Sequence, residues 1–309
     1  MLNEANNTIY LSRRHQSLSS LSPRTMPSSP WTKPDTSTRP IAVIGGGVMG
    51  RRISMMWKAA GFTVILCEKT NDCGPAVDYI REHEGAQAAK QGTEPGELKT
   101  TTSLEEAAGN AWMVIEAIPE KLQMKIDLMT QLDKIAPPDC VITSNSSSLR
   151  TSQMIVNTEK NYRICNGHYY MPPDQTYYEV MSCGYTDPGL FPFLMEKAAQ
   201  AGFKPVQAKV DSTGLVFNRI WAALKREVLL VLAEGVSDAQ TIDDMFKGWF
   251  IATKGPCQMM DTVGLDTVYN IEVVYTEQRD LDTTARDWLK ENYVDKGNLG
   301  AKAGKGLLG

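Results

Sequence analysis

Ile41-Ala42-Val43-Ile44-Gly45-Gly46-Gly47-Val48-Met49-Gly50 is the stretch whose reading decides the fold of this chain. Four apolar residues, two of them isoleucine and one valine, suit a strand buried on both faces. They run directly into Gly-x-Gly-x-x-Gly, at the point where a strand should turn into a helix. Gly45 permits the tight turn, Gly47 lets the backbone approach a pyrophosphate, and Gly50 allows the helix to pack closely on the strand. Val48 and Met49 stand inside the same cofactor-facing turn. A helix over 51–60 ends at Gly61, and a second apolar strand, Thr63-Val64-Ile65-Leu66-Cys67, closes with Glu68. Glu68 lies 18 residues after Gly50, close to the spacing of about 20 residues at which a ribose-binding acid is expected. A carboxylate there accepts hydrogen bonds from ribose hydroxyls and repels a 2′-phosphate, which favours NAD over NADP.

The rhythm of alternating strands and helices continues outward from this unit. The pattern predicts a helix over 72–92, a strand over 98–101 and a short helix over 104–108 capped by Ser103. A strand at 112–116 and a helix at 119–135 follow, with apolar residues at Leu122, Ile126, Met129 and Leu132. A strand over 140–143 then opens into Ser144-Asn145-Ser146-Ser147-Ser148. Small polar residues after a strand end are where ligands sit in doubly wound sheets, although a serine run also suits a plain loop. The expected fold is a Rossmann-type doubly wound α/β sheet followed by an all-α domain. Its divisions are a leader over 1–40, a dinucleotide domain over 41–211 and a helical domain over 212–309.

Composition narrows the function classes. A net charge of −4 and the lack of a long basic run argue against nucleic acid as a partner. No apolar run approaches the roughly 18 residues of a membrane span. The six cysteines are scattered, without a Cys-x-x-Cys pair or a histidine at ligand spacing. They read as reduced thiols in an intracellular protein, with no metal site. Residues 1–40 are rich in Ser, Thr, Pro and Arg and carry only Glu4 and Asp35 as acids. They read as a disordered leader in a cytoplasmic protein. A mitochondrial transit segment is the alternative, opposed by the prolines between 23 and 40, which break an amphipathic helix.

Of three histidines, His15 lies in the leader and His83 among charged residues, whereas His168 stands in Asn166-Gly167-His168-Tyr169-Tyr170-Met171-Pro172-Pro173. Imidazole titrates nearest neutrality and is the usual side chain for moving a proton at pH 7. A histidine among tyrosines is, by itself, more often a hydrogen-bonded packing residue.

Taken together, these motifs resemble the 3-hydroxyacyl-CoA dehydrogenase family, including its lambda-crystallin-like sugar-acid dehydrogenases, over residues 41 to about 306. Glu116-Ala117-Ile118-Pro119-Glu120 matches the family's Glu-Ala-x-x-Glu, and Lys125 its lysine; the resemblance implies that Glu120 and Lys125 contact the cofactor. It likewise makes Ser147 the serine on the substrate hydroxyl and cofactor, and His168 the base, 21 residues later. Tyr178-Glu179-Val180 matches the strand that supplies the carboxylate partner of the histidine, and Asp211 to Arg219 the helix start that carries Asn218. Lys302-Ala303-Gly304-Lys305-Gly306 matches the closing motif whose lysine, here Lys302, reaches back to the cofactor. The implied catalytic set is His168, Glu179, Ser147 and Asn218, acting on a 3-hydroxyacyl thioester or free acid with NAD. A homodimer is implied through the helical domain, where Trp221, Met245, Phe246, Trp249 and Phe250 are expected in a core or an interface. A protein that binds NAD without turnover is the rival reading.

Three positions depart from the family pattern. Met171 replaces an asparagine, the separation of His168 and Glu179 is 11 residues where 12 is expected, and the segment between Glu68 and Leu98 is short. In the acyl-CoA enzymes that last segment carries CoA contacts, so recognition of CoA is the part of the resemblance these changes touch.

Overall fold

The computed structural model describes residues 31–69 and 73–309. An eight-stranded sheet carries the N-terminal half in the order β3-β2-β1-β4-β5-β6-β7-β8. β1 (Ile41–Ile44), β2 (Val64–Cys67), β3 (Leu98–Thr101), β4 (Met113–Glu116), β5 (Val141–Ser144) and β6 (Ile164–Met171) run parallel. β7 (Gln175–Ser182) pairs antiparallel with β6, and β8 (Lys204–Ala208) parallel with β7. The chain order reverses at β1, between β2 and β4, and this is the crevice where doubly wound sheets bind ligands.

Alternation along β1 shows why the run is apolar throughout. Ile41 and Val43 join one core with Ile53, Met56 and Trp57 of α1 (Val48–Ala59) and Ile80 of α2 (Gly74–Gln91). Ala42 and Ile44 face the other core, with Ala107 and Ala108 of α3 (Leu104–Ala108) and Leu128, Met129 and Leu132 of α4 (Leu122–Ile135). The first core is completed by α6 (Leu190–Gln200). The second is completed by Met154 of the short α5 (Thr151–Met154).

The leader expected over 1–40 lies outside the described residues as far as position 30, and the remainder corrects the boundary. Trp31 is buried in the first core, edge-on to Phe193 at 5.5 Å, and its indole N–H donates to the Asp139 carbonyl at 2.9 Å. Arg39 pairs with Asp139 at 2.6 Å. Polar composition across the window hid one large anchoring side chain. The helix expected from residue 119 begins at Leu122, which leaves Glu120 in the preceding turn, where its carboxylate has other partners.

The second half is helical: α7 (Val216–Ala233), α8 (Ala239–Phe250), α9 (Pro256–Val263), α10 (Leu265–Arg279) and α11 (Thr284–Asn292). Leu229, Cys257, Met260, Leu265, Val268 and Leu289 form its core. α7 starts at Val216, just after Gly214, which holds a left-handed φ of +75° and where a Cβ would lie 1.9 Å from the Tyr275 hydroxyl. Of the large apolar residues expected in a core or an interface, Trp249 is 84% exposed, with Met245 and Phe250 also open. No helix among the described residues is long and apolar enough to cross a membrane.

Candidate active site

The glycine turn between β1 and α1 has the geometry its sequence calls for. Gly45 takes a φ of +106°, and a side chain there would meet the Ala117 carbonyl oxygen at 2.7 Å. A Cβ on Gly50 would lie 1.8 Å from the Gly45 oxygen, so only glycine lets α1 approach the strand. A Cβ on Gly47 would meet no protein atom within 4 Å, so the bare backbone there faces open space. No side chain caps α1, and its first turn holds no acid, which leaves its N–H groups available to a phosphate. Glu68 closes the far side of the crevice, accepting from the Gly46 amide at 2.7 Å and the Lys69 amide at 2.9 Å. Val48 and Met49 form the first residues of α1, with Met49 on the cavity wall. Turn, helix end and acid together fit a dinucleotide.

Behind the turn, a buried charge network holds the serine loop. The Lys125 ammonium, fully buried, donates to Glu116 at 2.6 Å and lies 3.2 Å from Glu120. Glu116 also accepts from the Ser144 hydroxyl at 2.5 Å. Glu120 accepts from the hydroxyls of Ser146 and Ser148, the latter at 2.8 Å. Burial opposes ionisation of Glu120, but Lys125 and the two serine hydroxyls outweigh it and hold the carboxyl below its ordinary range. Glu120 and Lys125 thus brace the loop as well as lining the cavity.

Two cavities meet at that loop. One, of about 560 Å³, runs past Met49, Ala117, Glu120 and Asn145. The other, of about 180 Å³, is bounded by Asn218 and Trp221 of α7 and by Met260 and Tyr275 of the helical domain. Ser147, Ser148, His168 and Ile271 line both. Ser147, His168 and Asn218, distant in sequence, are therefore brought to one place. His168 is 7% exposed, and its Nδ1 finds no partner among the described residues. Burial pulls its pKa down to about 4, with the Glu120 charge opposing, so the imidazole is neutral at pH 7.

The expected hydrogen bond between His168 and Glu179 is not made. The two residues are directly opposite in the β6–β7 register. However, the Glu179 carboxylate accepts from the Val216 amide at 2.7 Å, the Phe217 amide at 3.2 Å and the Tyr170 hydroxyl. The free amides at the start of α7 and a nearby phenol supply more donors than one imidazole can. Lys302 is the other exception: it pairs with Asp266 at 2.5 Å and lines neither cavity. Met171, half-exposed at the end of β6, also stands outside both.

Asn145 is a cavity-lining residue that motif reading passed over. Its side-chain oxygen accepts from the Tyr169 amide at 2.8 Å, which ties the serine loop to the histidine strand. Its place as the lone amide in a serine run was the available signal. Lys225 and Tyr275 in the smaller cavity were likewise missed; a cation on an otherwise apolar helix face was the signal for Lys225. Among the described residues no group of three or more His, Cys, Asp or Glu side chains could hold a metal, and Cys67, Cys140, Cys165, Cys183 and Cys257 form no disulfide.

Comparison with known proteins bears on both halves. The family model for the 3-hydroxyacyl-CoA dehydrogenase NAD-binding domain matches residues 40–211, and that for the C-terminal domain matches 214–308. The chain is 46% identical over 146 residues to the 3-hydroxyacyl-CoA dehydrogenase-like protein LAM1 of Cochliobolus heterostrophus, a match spanning 47% of this chain and 31% of that protein. It is 30% identical to a probable 3-hydroxybutyryl-CoA dehydrogenase of Bacillus subtilis, across 86% of this chain and 96% of the relative. Among solved structures, a diketoreductase studied for catalysis on dicarbonyl compounds superposes with a TM-score of 0.72 at 30% identity, over 87% of this chain and 98% of that one.

Proposed function

The chain belongs to the 3-hydroxyacyl-CoA dehydrogenase family, and from that premise we propose that it interconverts a 3-hydroxyacyl compound and its 3-oxo form, with His168 as the general base. Its cofactor is NAD, which supplies a hydride acceptor when bound. The observation that carries the reading is the placing of His168 and Ser147 on the wall shared by the two cavities, with Asn218 in the smaller one. A substrate hydroxyl seated there gives its proton to the neutral imidazole. Ser147 and Asn218 hold the reacting oxygen and stabilise the charge it develops. Glu120 is the carboxylate that acts electrostatically on His168 in this state. Glu179 serves as a positioning group, because it links the strand beside His168 to the first turn of the helix that carries Asn218.

The test is NADH consumption with acetoacetyl-CoA, acetoacetate and oxidised sugar acids. In the oxidation direction kcat/KM should stay flat from pH 7 down to about 5, because His168 loses its base form only as pH falls through about 4. An inflection near 6.5 would remove the buried histidine from the proton transfer. NAD binding without turnover on the whole panel would leave a cofactor-binding protein.

We further infer that two copies associate through the helical domain. Trp249 at 84% exposed and Ile251 at 94% lie on one end of α8 with Met245 and Phe250, an apolar patch of the kind that marks an interface. Trp249→Asp should shift light-scattering mass from dimer to monomer; a wild-type monomer would dismiss the idea. We assign the cytoplasm as its compartment, since the prolines between 23 and 40 disfavour a transit helix. Import of a tagged full-length chain into mitochondria would reverse that.

A further inference from the structure

We propose that Lys225 is the anion-binding residue of the smaller cavity, and that the substrate presents a carboxylate to it within a few atoms of the carbon being oxidised. The inference rests on the reaction proposed above and names the chemistry of its substrate. Lys225 lines the same cavity of about 180 Å³ as Ser147, His168 and Asn218. It is 3% exposed, yet no hydrogen bond or ion pair holds its ammonium among the described residues. The face of Trp221 lies beside it, with 5.9 Å from Nζ to the ring centroid. Much of the remaining wall is apolar, including Met259, Met260, Val263 and Val268.

A buried, unpaired ammonium is costly unless an anion meets it. The neighbouring acid does not serve. Glu272, fully buried on α10, pairs with Arg226 at 2.9 Å through one oxygen, and its other oxygen makes no hydrogen bond, to Lys225 or to any other described residue. Burial lowers the Lys225 pKa to about 8, with Glu272 opposing, which still leaves the side chain protonated at pH 7. Arg279, Arg219 and Arg226 each favour negative charge at the Tyr275 hydroxyl, and Glu272 opposes it. That hydroxyl is itself buried without a partner, and Tyr275 lines the same cavity, so a second donor is available to the anion.

Size decides which anion. The cavity is smaller than the roughly 300–1,000 Å³ usual for ligand sites, so a group touching both His168 and Lys225 must be short. The phosphates of CoA lie beyond the whole pantetheine arm from the reacting carbon and are too far away. A carboxylate can arrive as the acid group of a free 3-oxo acid or as the far end of a 3-oxo dicarboxylic thioester. Either is held by charge, whereas a simple acyl chain would leave Lys225 unmatched.

The experiment compares kcat/KM for acetoacetate, its neutral ethyl ester, acetoacetyl-CoA and the CoA thioester of 3-oxoadipate, in wild type, Lys225→Met and Lys225→Arg. The wild type should prefer a carboxylate-bearing compound over its neutral counterpart, and the thioester pair separates the two sources. Lys225→Met should lower that preference by roughly 30-fold or more, mostly through KM, and Lys225→Arg should recover part of it. A melting temperature of Lys225→Met at or above wild type shows that the fold is kept, since a buried charge has been removed. Titration of acetoacetate into the NADH complex, read by cofactor fluorescence, separates the two failures. Lys225-dependent binding without turnover would sink the reaction but uphold the anion site. An unchanged preference, or carboxylate binding indifferent to Lys225→Met, would overturn the anion site and leave the reaction standing.

Discussion

His168→Gln should lower kcat by about 10²–10⁴-fold, the range that positioned proton transfer supplies, while NADH affinity stays close to wild type. The amide can hydrogen-bond the substrate hydroxyl but cannot take its proton. Affinity should survive because the glycine turn and Glu68 are joined through the Gly46 amide and make no hydrogen bond to His168. The substitution also fits the site: His168 is buried with an unpartnered Nδ1, so no existing hydrogen bond is broken. Glu179→Gln should behave differently. It leaves the imidazole in place but weakens the carboxylate cap on the amides of Val216 and Phe217. A carboxylate at a helix start contributes about 0.3–2 kcal/mol, so a lower melting temperature and a smaller kcat loss are expected. If Glu179→Gln matched His168→Gln in kcat with an unchanged melting temperature, the carboxylate would act on the histidine directly. If His168→Gln turned over at the wild-type rate, the base would have to be another group.

How far the sequence revealed this arrangement depended on whether the information was local. The first strand, the glycine turn and the acid at the end of β2 were legible because each rests on a short-range rule. Apolar runs bury on both faces, glycine alone fits at Gly45 and Gly50, and an acid at that spacing ends the second strand. Gathering Ser147, His168 and Asn218 required the resemblance, because their proximity depends on how the helical domain packs on the sheet. What escaped was competition among partners. The resemblance implied Glu179 as the partner of His168, and the two stand opposite in register, but it does not reveal that the open amides of α7 and the Tyr170 hydroxyl take the carboxylate first. Trp31 escaped for a related reason: one side chain seated against Phe193 outweighs the polar, proline-rich composition around it.

The same competition governs Lys125, where the largest stability effect is expected. Lys125→Met should destabilise the fold by about 3–5 kcal/mol, the usual result of leaving one member of a buried ion pair unpaired. Glu116 is fully buried and would keep only the Ser144 hydroxyl and the Ile118 amide as donors. Glu120 would lose the 3.2 Å contact to Lys125 that steadies its hold on Ser146 and Ser148. The serine loop should therefore loosen, and KM for NADH should rise together with the fall in melting temperature. A second substitution separates structure from direct cofactor contact. Adding Glu116→Gln removes the stranded charge but keeps an acceptor for Ser144, so the double variant should melt above Lys125→Met alone. That rescue is a coupling of about 0.5–3 kcal/mol between neighbours. Should Lys125→Met keep its melting temperature while NADH binding collapses, Lys125 would be a cofactor ligand first. With rescue, the lysine acts mainly on the carboxylates, whose hydrogen bonds to Ser144, Ser146 and Ser148 flank Asn145 and Ser147 on the cavity wall.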